Sequence, residues 1–267
     1  MANGFNLENC TAIITGASSG LGAEFARQLA PVAKSLILVA RRSEALEEVK
    51  KGLAGQKATI SCCVADLATD AGREALVAFM EASGWPANLL INNAGLGDYG
   101  HFSSSSTDKT RSQIELNITA LTLLTHALLP KLPRPAGILN VSSLAGTLPM
   151  PELAVYAASK AYVTSFSEAL AIELAPRGVT VTCVCPGPTP TNFGKNATRP
   201  DGTDTNHDEQ SLLRIPPGQV VAEALLALQK GRPSVYPGLG VSIASCLFRH
   251  FPRRLLHAIL RRRHRGD

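Results

Sequence analysis

No apolar run in this chain reaches the length of a membrane span. The longest late one, Leu239 to Phe248, is too short to cross a bilayer. No basic segment followed by a long apolar run opens the chain, so no secretory signal is expected. Without one, the glycosylation-type triplets at Asn117, Asn140 and Asn196 carry no weight. The six cysteines make no C-x-x-C pair and no cluster with histidine, which argues against a zinc site. Four of them lie in apolar strand-like runs and read as small core residues in a reducing, cytoplasmic compartment. Repeats and low-complexity stretches are missing as well. So is a body-wide basic surface. The formal charge is +5, but seven arginines and one aspartate fall between Arg249 and Asp267, and taking out that net +6 leaves −1 for the rest. A nucleic-acid partner is therefore not expected.

What is present is 267 residues, 45% of them apolar, enough for one large core. Short continuous apolar segments at Ala12–Thr15, Ser35–Ala40, Thr59–Ala65, Asn88–Asn92, Gly137–Val141 and Val179–Val184 read as buried strands. Between them run helical patterns at Leu21–Ala30, Ser43–Leu53, Asp70–Ser83, Thr107–Leu129 and Leu153–Ala175. A later helix follows at Pro217–Lys230 and an edge strand at Ser234–Tyr236. Such alternation predicts an α/β fold, a doubly wound parallel sheet with helices on both faces in three layers, whose ligands bind beyond the carboxyl ends of the strands. The Pro-, Gly- and Asn-rich stretch from Pro186 to Pro217 reads as a lid over such a site, with residues 188–217 as the substrate loop. Residues 1–238 form the expected domain, and 239–267 a basic amphipathic tail.

The first strand runs into Thr15-Gly16-Ala17-Ser18-Ser19-Gly20-Leu21-Gly22 and then a helix. Glycines at 16, 20 and 22 allow a tight turn and close approach to a pyrophosphate, and the helix N-terminus adds amides and a positive dipole end. The spacing is G-x-x-x-G-x-G, not the better-known G-x-G-x-x-G. The second strand ends at Ala40-Arg41-Arg42, where an acid would bond the ribose 2′-OH of NAD(H). Ala40 removes that acid, and Arg41 and Arg42 offer charge to a 2′-phosphate, which favours NADP(H) over NAD(H). Both arginines also read as solvated residues, with Glu44 near enough to neutralise one. Asp66-Leu67, after the third strand, is placed either to meet the adenine edge or to cap the next helix.

Tyr156 and Lys160 stand one turn apart on a single helical face. A tyrosine ordinarily titrates near 10, and a fixed cation beside it lowers that value. Thirteen residues upstream Ser143 closes a strand, placed to hydrogen-bond a substrate oxygen. Asn92-Asn93-Ala94-Gly95 closes the fourth strand and walls the cofactor cleft. Asn117 falls inside a long helical pattern, where its side chain or a disturbed backbone is suited to hold water.

In this order and at these distances, Thr15–Gly22, Asn92–Gly95, Ser143, Tyr156-x-x-x-Lys160 and Pro186-Gly187 resemble the short-chain dehydrogenase/reductase family of the classical type, over roughly residues 8–190. The resemblance implies a single Rossmann-type domain and a catalytic tetrad of Asn117, Ser143, Tyr156 and Lys160. It implies that Thr191 contacts the nicotinamide carboxamide and that Pro186, Gly187 and Thr189 also meet the cofactor, and Arg41 looks like the position that marks the NADP-preferring subgroup. It further implies hydride transfer between a nicotinamide and a carbonyl or secondary alcohol, with Tyr156 as general acid/base, in a homodimer or homotetramer.

Leu96, Tyr99, Met150 and Phe193 would line an apolar pocket suited to a hydrophobic ketone or aldehyde. The tail mixes Phe248, Phe251, Leu255, Leu256, Ile259 and Leu260 with its arginines, and two readings stand: a helix packed on the body, or peripheral contact with an anionic membrane. A second function class is a non-catalytic NADPH sensor or membrane-associated regulator on the same fold. The intact Tyr/Lys pair argues against it, because a sensor has no use for that pair.

Overall fold

The computed structural model describes residues 4–199 and 213–264. Seven strands form one parallel sheet in the order β3-β2-β1-β4-β5-β6-β7. They are β1 (Thr11–Thr15), β2 (Ser35–Ala40), β3 (Thr59–Val64), β4 (Leu89–Asn92), β5 (Ala136–Val141), β6 (Val179–Val184) and β7 (Ser234–Val235). Strands β1, β2, β4, β5 and β6 are buried along their whole length, because helices cover both faces. β3 was expected as another buried strand but is mostly half-exposed, since it forms the edge of the sheet.

Alternate side chains along each strand feed two cores. Ile14, Leu36, Leu38, Leu89 and Ile91 pack in one cluster with α1 (Gly20–Leu29) and α8 (Pro217–Gln229). Their neighbours Ile13, Ile37, Val39 and Leu90 pack in the other with α3 (Asp70–Ser83) and α5 (Leu121–Leu128). The second crossover helix, α2 (Ser43–Gly52), leads into β3. Between β1 and β4 the winding reverses, so the crevice at their carboxyl ends is where such a sheet receives ligands.

Local chemistry sets the helix ends. Thr69 accepts a hydrogen bond from Gly72 N at the start of α3, and Ser106 accepts one from Lys109 N at the start of α4 (Thr107–Ile114). Gly84 closes α3 in the left-handed conformation. The single helix expected over Thr107–Leu129 is three segments: α4, a π-helical turn at Glu115–Ala120, and α5. A π-turn inserts one residue and re-aims the side chains around it, here Asn117. The segment expected as a lid carries a short helix, α7 (Phe193–Ala197), while residues 200–212 lie outside the described residues. The long helix α6 (Ala154–Leu174) leads to β6, and two helices close the chain, α9 (Leu239–His250) and α10 (Arg253–His264).

Candidate active site

The glycine turn is braced from β4. Thr15 Oγ1 accepts from Asn93 N at 2.9 Å and Ala94 N at 3.0 Å, while Asn93 Nδ2 donates to Thr15 O at 2.9 Å and Gly16 O at 3.2 Å. Gly16 has φ +65, and a Cβ there would come within 2.9 Å of Ala94 Cα, so the two strand ends touch backbone to backbone. Gly22 lies behind the turn rather than on the cavity wall: its Cβ would fall 2.2 Å from Gly16 O. Its function is close helix–strand packing. Ser18, Ser19, Gly20 and Leu21 face the cavity at the start of α1.

That cavity measures about 990 Å³ and runs along the carboxyl ends of the strands. Arg41, Arg42, Asp66 and Leu67 line one end. Arg41 Nη1 lies 4.0 Å from Asp66 Oδ2, with both side chains substantially exposed. Asp66 does not cap α3, because Thr69 does; its Oδ1 instead accepts from Ala68 N at 3.1 Å. Asn93, Ala94 and Gly95 form the middle of the wall, and Pro186, Gly187, Thr189 and Thr191 face them from beyond β6. A helix N-terminus, open glycine backbone and a basic end fit a dinucleotide laid along this cleft.

Ser143, Tyr156 and Lys160 line the far half of the same cavity. Ser143 sits where β5 gives way to a short 3₁₀ turn, and its Oγ accepts from Ala145 N at 3.1 Å. Lys160 is only 4% exposed. Its Nζ donates to Val141 O at 2.8 Å and stands 5.7 Å from the centre of the Tyr156 ring. Burial pushes the Lys160 ammonium down to about 8, from an ordinary 10.5. The Tyr156 ring in turn meets Phe193, centre to centre at 5.3 Å.

Asn117 is brought near but not onto the cavity wall. Its Oδ1 accepts from Leu96 N at 2.8 Å, and its Nδ2 donates to Leu96 O at 2.9 Å and Ser159 Oγ at 3.0 Å. A Cβ on Gly95 would lie 3.4 Å from Asn117 Oδ1 and 3.5 Å from Lys160 Nζ, so the missing side chain of Gly95 is what lets these two groups flank the same backbone. Leu96, Tyr99, Met150 and Phe193, expected to meet a substrate, all line this cavity.

Sequence reasoning missed three parts of the site. A buried polar relay pins α6 to the strand ends: Asn92 Nδ2 donates to Asn140 Oδ1, Asn140 Nδ2 to Ser167 Oγ, and Ser142 Oγ to Lys160 O at 2.7 Å. The polar residues at the strand ends, Asn92, Asn140 and Ser142, were a signal for it. Asp98, almost wholly buried, takes Arg199 Nε at 2.8 Å and Nη2 at 2.7 Å, with Lys109 Nζ at 3.0 Å, tying the loop after β4 to the end of α7. Burial opposes ionisation of Asp98, but hydrogen bonds from Arg199, Ser105 and Lys109 outweigh it and hold the carboxyl far below its usual range. No local pattern announces a pair 101 residues apart. Finally, Leu213, Phe248 and Leu260 line the cavity from the C-terminal part of the chain.

The short chain dehydrogenase family model matches residues 10–202. The chain belongs to the short-chain dehydrogenase/reductase family. It is 33% identical over 241 residues to Dehydrogenase/reductase SDR family member 7B of Bos taurus, covering 86% of this chain and 73% of that one. A short-chain dehydrogenase from Sphingobium yanoikuyae in complex with NADPH superposes with a TM-score of 0.77 at 30% identity, over 88% of this chain and 90% of that chain. A family member from Burkholderia phymatum in complex with NAD does so with 0.77 at 25%, over 91% and 94%. This short-chain dehydrogenase/reductase is thus an oxidoreductase acting on CH–OH groups with a nicotinamide cofactor. The parallel sheet and the three-layer architecture are those expected from the sequence.

Proposed function

We propose that this enzyme is an NADP(H)-dependent carbonyl reductase and secondary-alcohol dehydrogenase for a hydrophobic ketone or aldehyde, with Tyr156 as general acid/base. The observation that carries the reading is the buried Lys160 ammonium, 5.7 Å from the Tyr156 ring, in a cavity that Ser143 and the glycine turn also line. The nicotinamide, when bound, supplies or accepts the hydride. Ser143 donates a hydrogen bond to the substrate oxygen and holds it in place. Tyr156 gives that oxygen its proton in reduction and takes it back in oxidation. Lys160 favours the phenolate, so Tyr156 works nearer neutrality than a free tyrosine would. Asn117 fixes the Leu96 backbone and Ser159, whose Oγ donates to Tyr156 O at 2.7 Å, and so steadies the catalytic face of α6.

Arg41 and Arg42 support the NADP(H) preference, since no acid stands at Ala40 to repel a 2′-phosphate. The apolar side chains of Leu96, Met150 and Phe193 support a hydrophobic substrate. Ile114, Leu123 and Ile172 expose apolar surface on α4, α5 and α6, which suits pairing with a second copy. A panel of ketones, aldehydes and alcohols followed at the nicotinamide absorbance is the test. Turnover is expected with NADPH and abolished in Tyr156→Phe, while that variant still binds NADPH. Unchanged turnover in Tyr156→Phe would remove the proton-transfer assignment.

A further inference from the structure

The last two helices face two ways. On α9, Val241 and Ser245 are buried and Phe248 lines the cavity; on α10, Leu260 lines it too. The opposite faces are apolar and uncovered. Leu239, Ile243 and Leu247, spaced by four on α9, are 79%, 52% and 62% exposed, and Leu255 and Ile259 on α10 are about half exposed. Residues spaced by four share one helical face, so each helix carries an apolar stripe to the outside. Arg253, Arg254, Arg261 and Arg262 are exposed at either end of the α10 stripe. No aspartate or glutamate occurs from Leu239 to Gly266. Among the described residues no helix is long and apolar enough to cross a membrane.

We infer that α9 and α10 are a dock that lies on an anionic bilayer, and that the substrate is a carbonyl or alcohol dissolved in that bilayer, entering the cavity past Phe248 and Leu260. The substrate half of this inference rests on the carbonyl-reductase reading; the docking half does not. Charge decides the occupant. An apolar stripe bracketed by arginines and free of acids matches a surface of lipid tails under phosphate headgroups. A second copy of the same basic surface would instead set arginine against arginine. The same two helices line the reaction cavity, so attachment brings the cavity's apolar wall to the lipid phase. A small water-soluble substrate would have no use for that arrangement.

The experiment uses the full-length protein, phosphatidylcholine vesicles with and without phosphatidylglycerol, and the triple variant Ile243→Ser, Leu247→Ser, Leu255→Ser. Each exposed arginine near an anionic surface strengthens attachment about five-fold, so four together multiply to several hundred-fold over neutral vesicles. Co-sedimentation of the wild type with anionic vesicles is expected, weakened by salt. The triple variant is expected to lose at least about a hundred-fold in attachment, since each side chain gives up its apolar burial. It should reduce a short water-soluble ketone at the wild-type rate but a vesicle-dissolved long-chain ketone at least about ten-fold more slowly. Equal attachment of both proteins, or none by the wild type, would overturn the dock. So would a triple variant that turns from dimer to monomer while attachment is unchanged, which would make the face an interface between copies. Equal rates on the vesicle-dissolved ketone would overturn the lipid-phase route. Turnover of neither ketone, with attachment intact, would overturn the carbonyl-reductase reading and the substrate half with it, and would leave the dock standing.

Discussion

Lys160→Met should separate the stability of this protein from its chemistry, and the structure gives the size and sign of the effect. Lys160 is 4% exposed, and burial lowers it from 10.5 to about 8. In the unfolded chain it keeps its ordinary value. Below about 8 both states carry the proton, and the folded state bears the full cost of burying the charge, about 3 kcal/mol at 1.36 kcal/mol per tenfold change in proton affinity. Between about 8 and 10.5 the unfolded state binds more protons than the folded one, so wild-type stability rises with pH across that window. Methionine has nothing to titrate. The variant's stability relative to wild type should therefore be best near neutrality and should fall by about 2 kcal/mol from about pH 7 to about pH 9.5. Removing the lysine also strips Val141 O of a donor at 2.8 Å, which costs about 1–3 kcal/mol at every pH and leaves the variant near or slightly above wild type in neutral solution. Urea melts of the two apoproteins at the two pH values read the difference, because titrating groups remote from Lys160 cancel, and the phenolate that Lys160 favours at Tyr156 acts in the same direction. Meanwhile kcat/KM should fall at least about a hundred-fold. A stability difference that does not move with pH, or moves the other way, would refute the buried-cation argument.

Three further outcomes follow from individual residues. Arg41→Ala should weaken NADPH about ten-fold and NADH hardly at all, measured by fluorescence titration, because a guanidinium–phosphate pair at this exposed position is charge-assisted and NADH has no 2′-phosphate to form it; equal weakening of both would show that Arg41 is not the selector. Asp98→Asn leaves Arg199 buried without its carboxylate and should cost about 3–5 kcal/mol, lowering Tm by about ten degrees and raising KM more than it lowers kcat; an unchanged melting curve would mean that the clamp is not structural. Gly22→Ala forces a Cβ to within 2.2 Å of Gly16 O and should weaken cofactor binding although residue 22 does not line the cavity, a result that an unperturbed titration would contradict.

The strands, their parallel pairing and the glycine turn that walls the cleft were legible because each depends on local chemistry. Largely apolar runs such as Ser35–Ala40 mark strands buried on both faces, and Gly16 and Gly20 mark positions of positive φ next to a helix start. The substrate half was less legible because it is assembled from segments far apart in sequence. Asp98 meets Arg199, Gly187 meets Val241, and Phe248 and Leu260 arrive from the end of the chain. The π-turn around Asn117 falls between. The sequence marks a helix there and a polar residue out of place within it, but not that the turn carries an extra residue or that Asn117 bonds Leu96 and Ser159 from it. The buried polar relay behind α6 was half visible: Asn92 and Asn140 stand in the strand-end motifs, and Thr164 and Ser167 look like ordinary helix residues until α6 is laid across the sheet.

That dependence on distant segments also bears on where the body of the enzyme ends. Residues from 239 onward read from sequence as a tail, but α9 is seated on the machinery. A Cβ on Gly187 would fall 2.7 Å from Val241 Cγ2, so the valine packs directly on the backbone of the Pro186-Gly187 segment that faces the glycine turn across the cleft. Val241 itself is 1% exposed and belongs to the core cluster shared with Ile14 and Val184. α10, by contrast, is exposed or half-exposed throughout its described side chains. We therefore propose that the boundary of the tightly packed body runs through Phe251-Pro252, between α9 and α10, and two truncations distinguish the alternatives. Removing residues 251–267 should leave Tm almost unchanged. Removing residues 239–267 also uncovers Gly187 and takes away the Val241 packing, worth about 1.5–3 kcal/mol, so Tm should drop by about three to ten degrees and the affinity for NADPH should fall with it. Both truncations melting with the intact protein would return α9 to the tail.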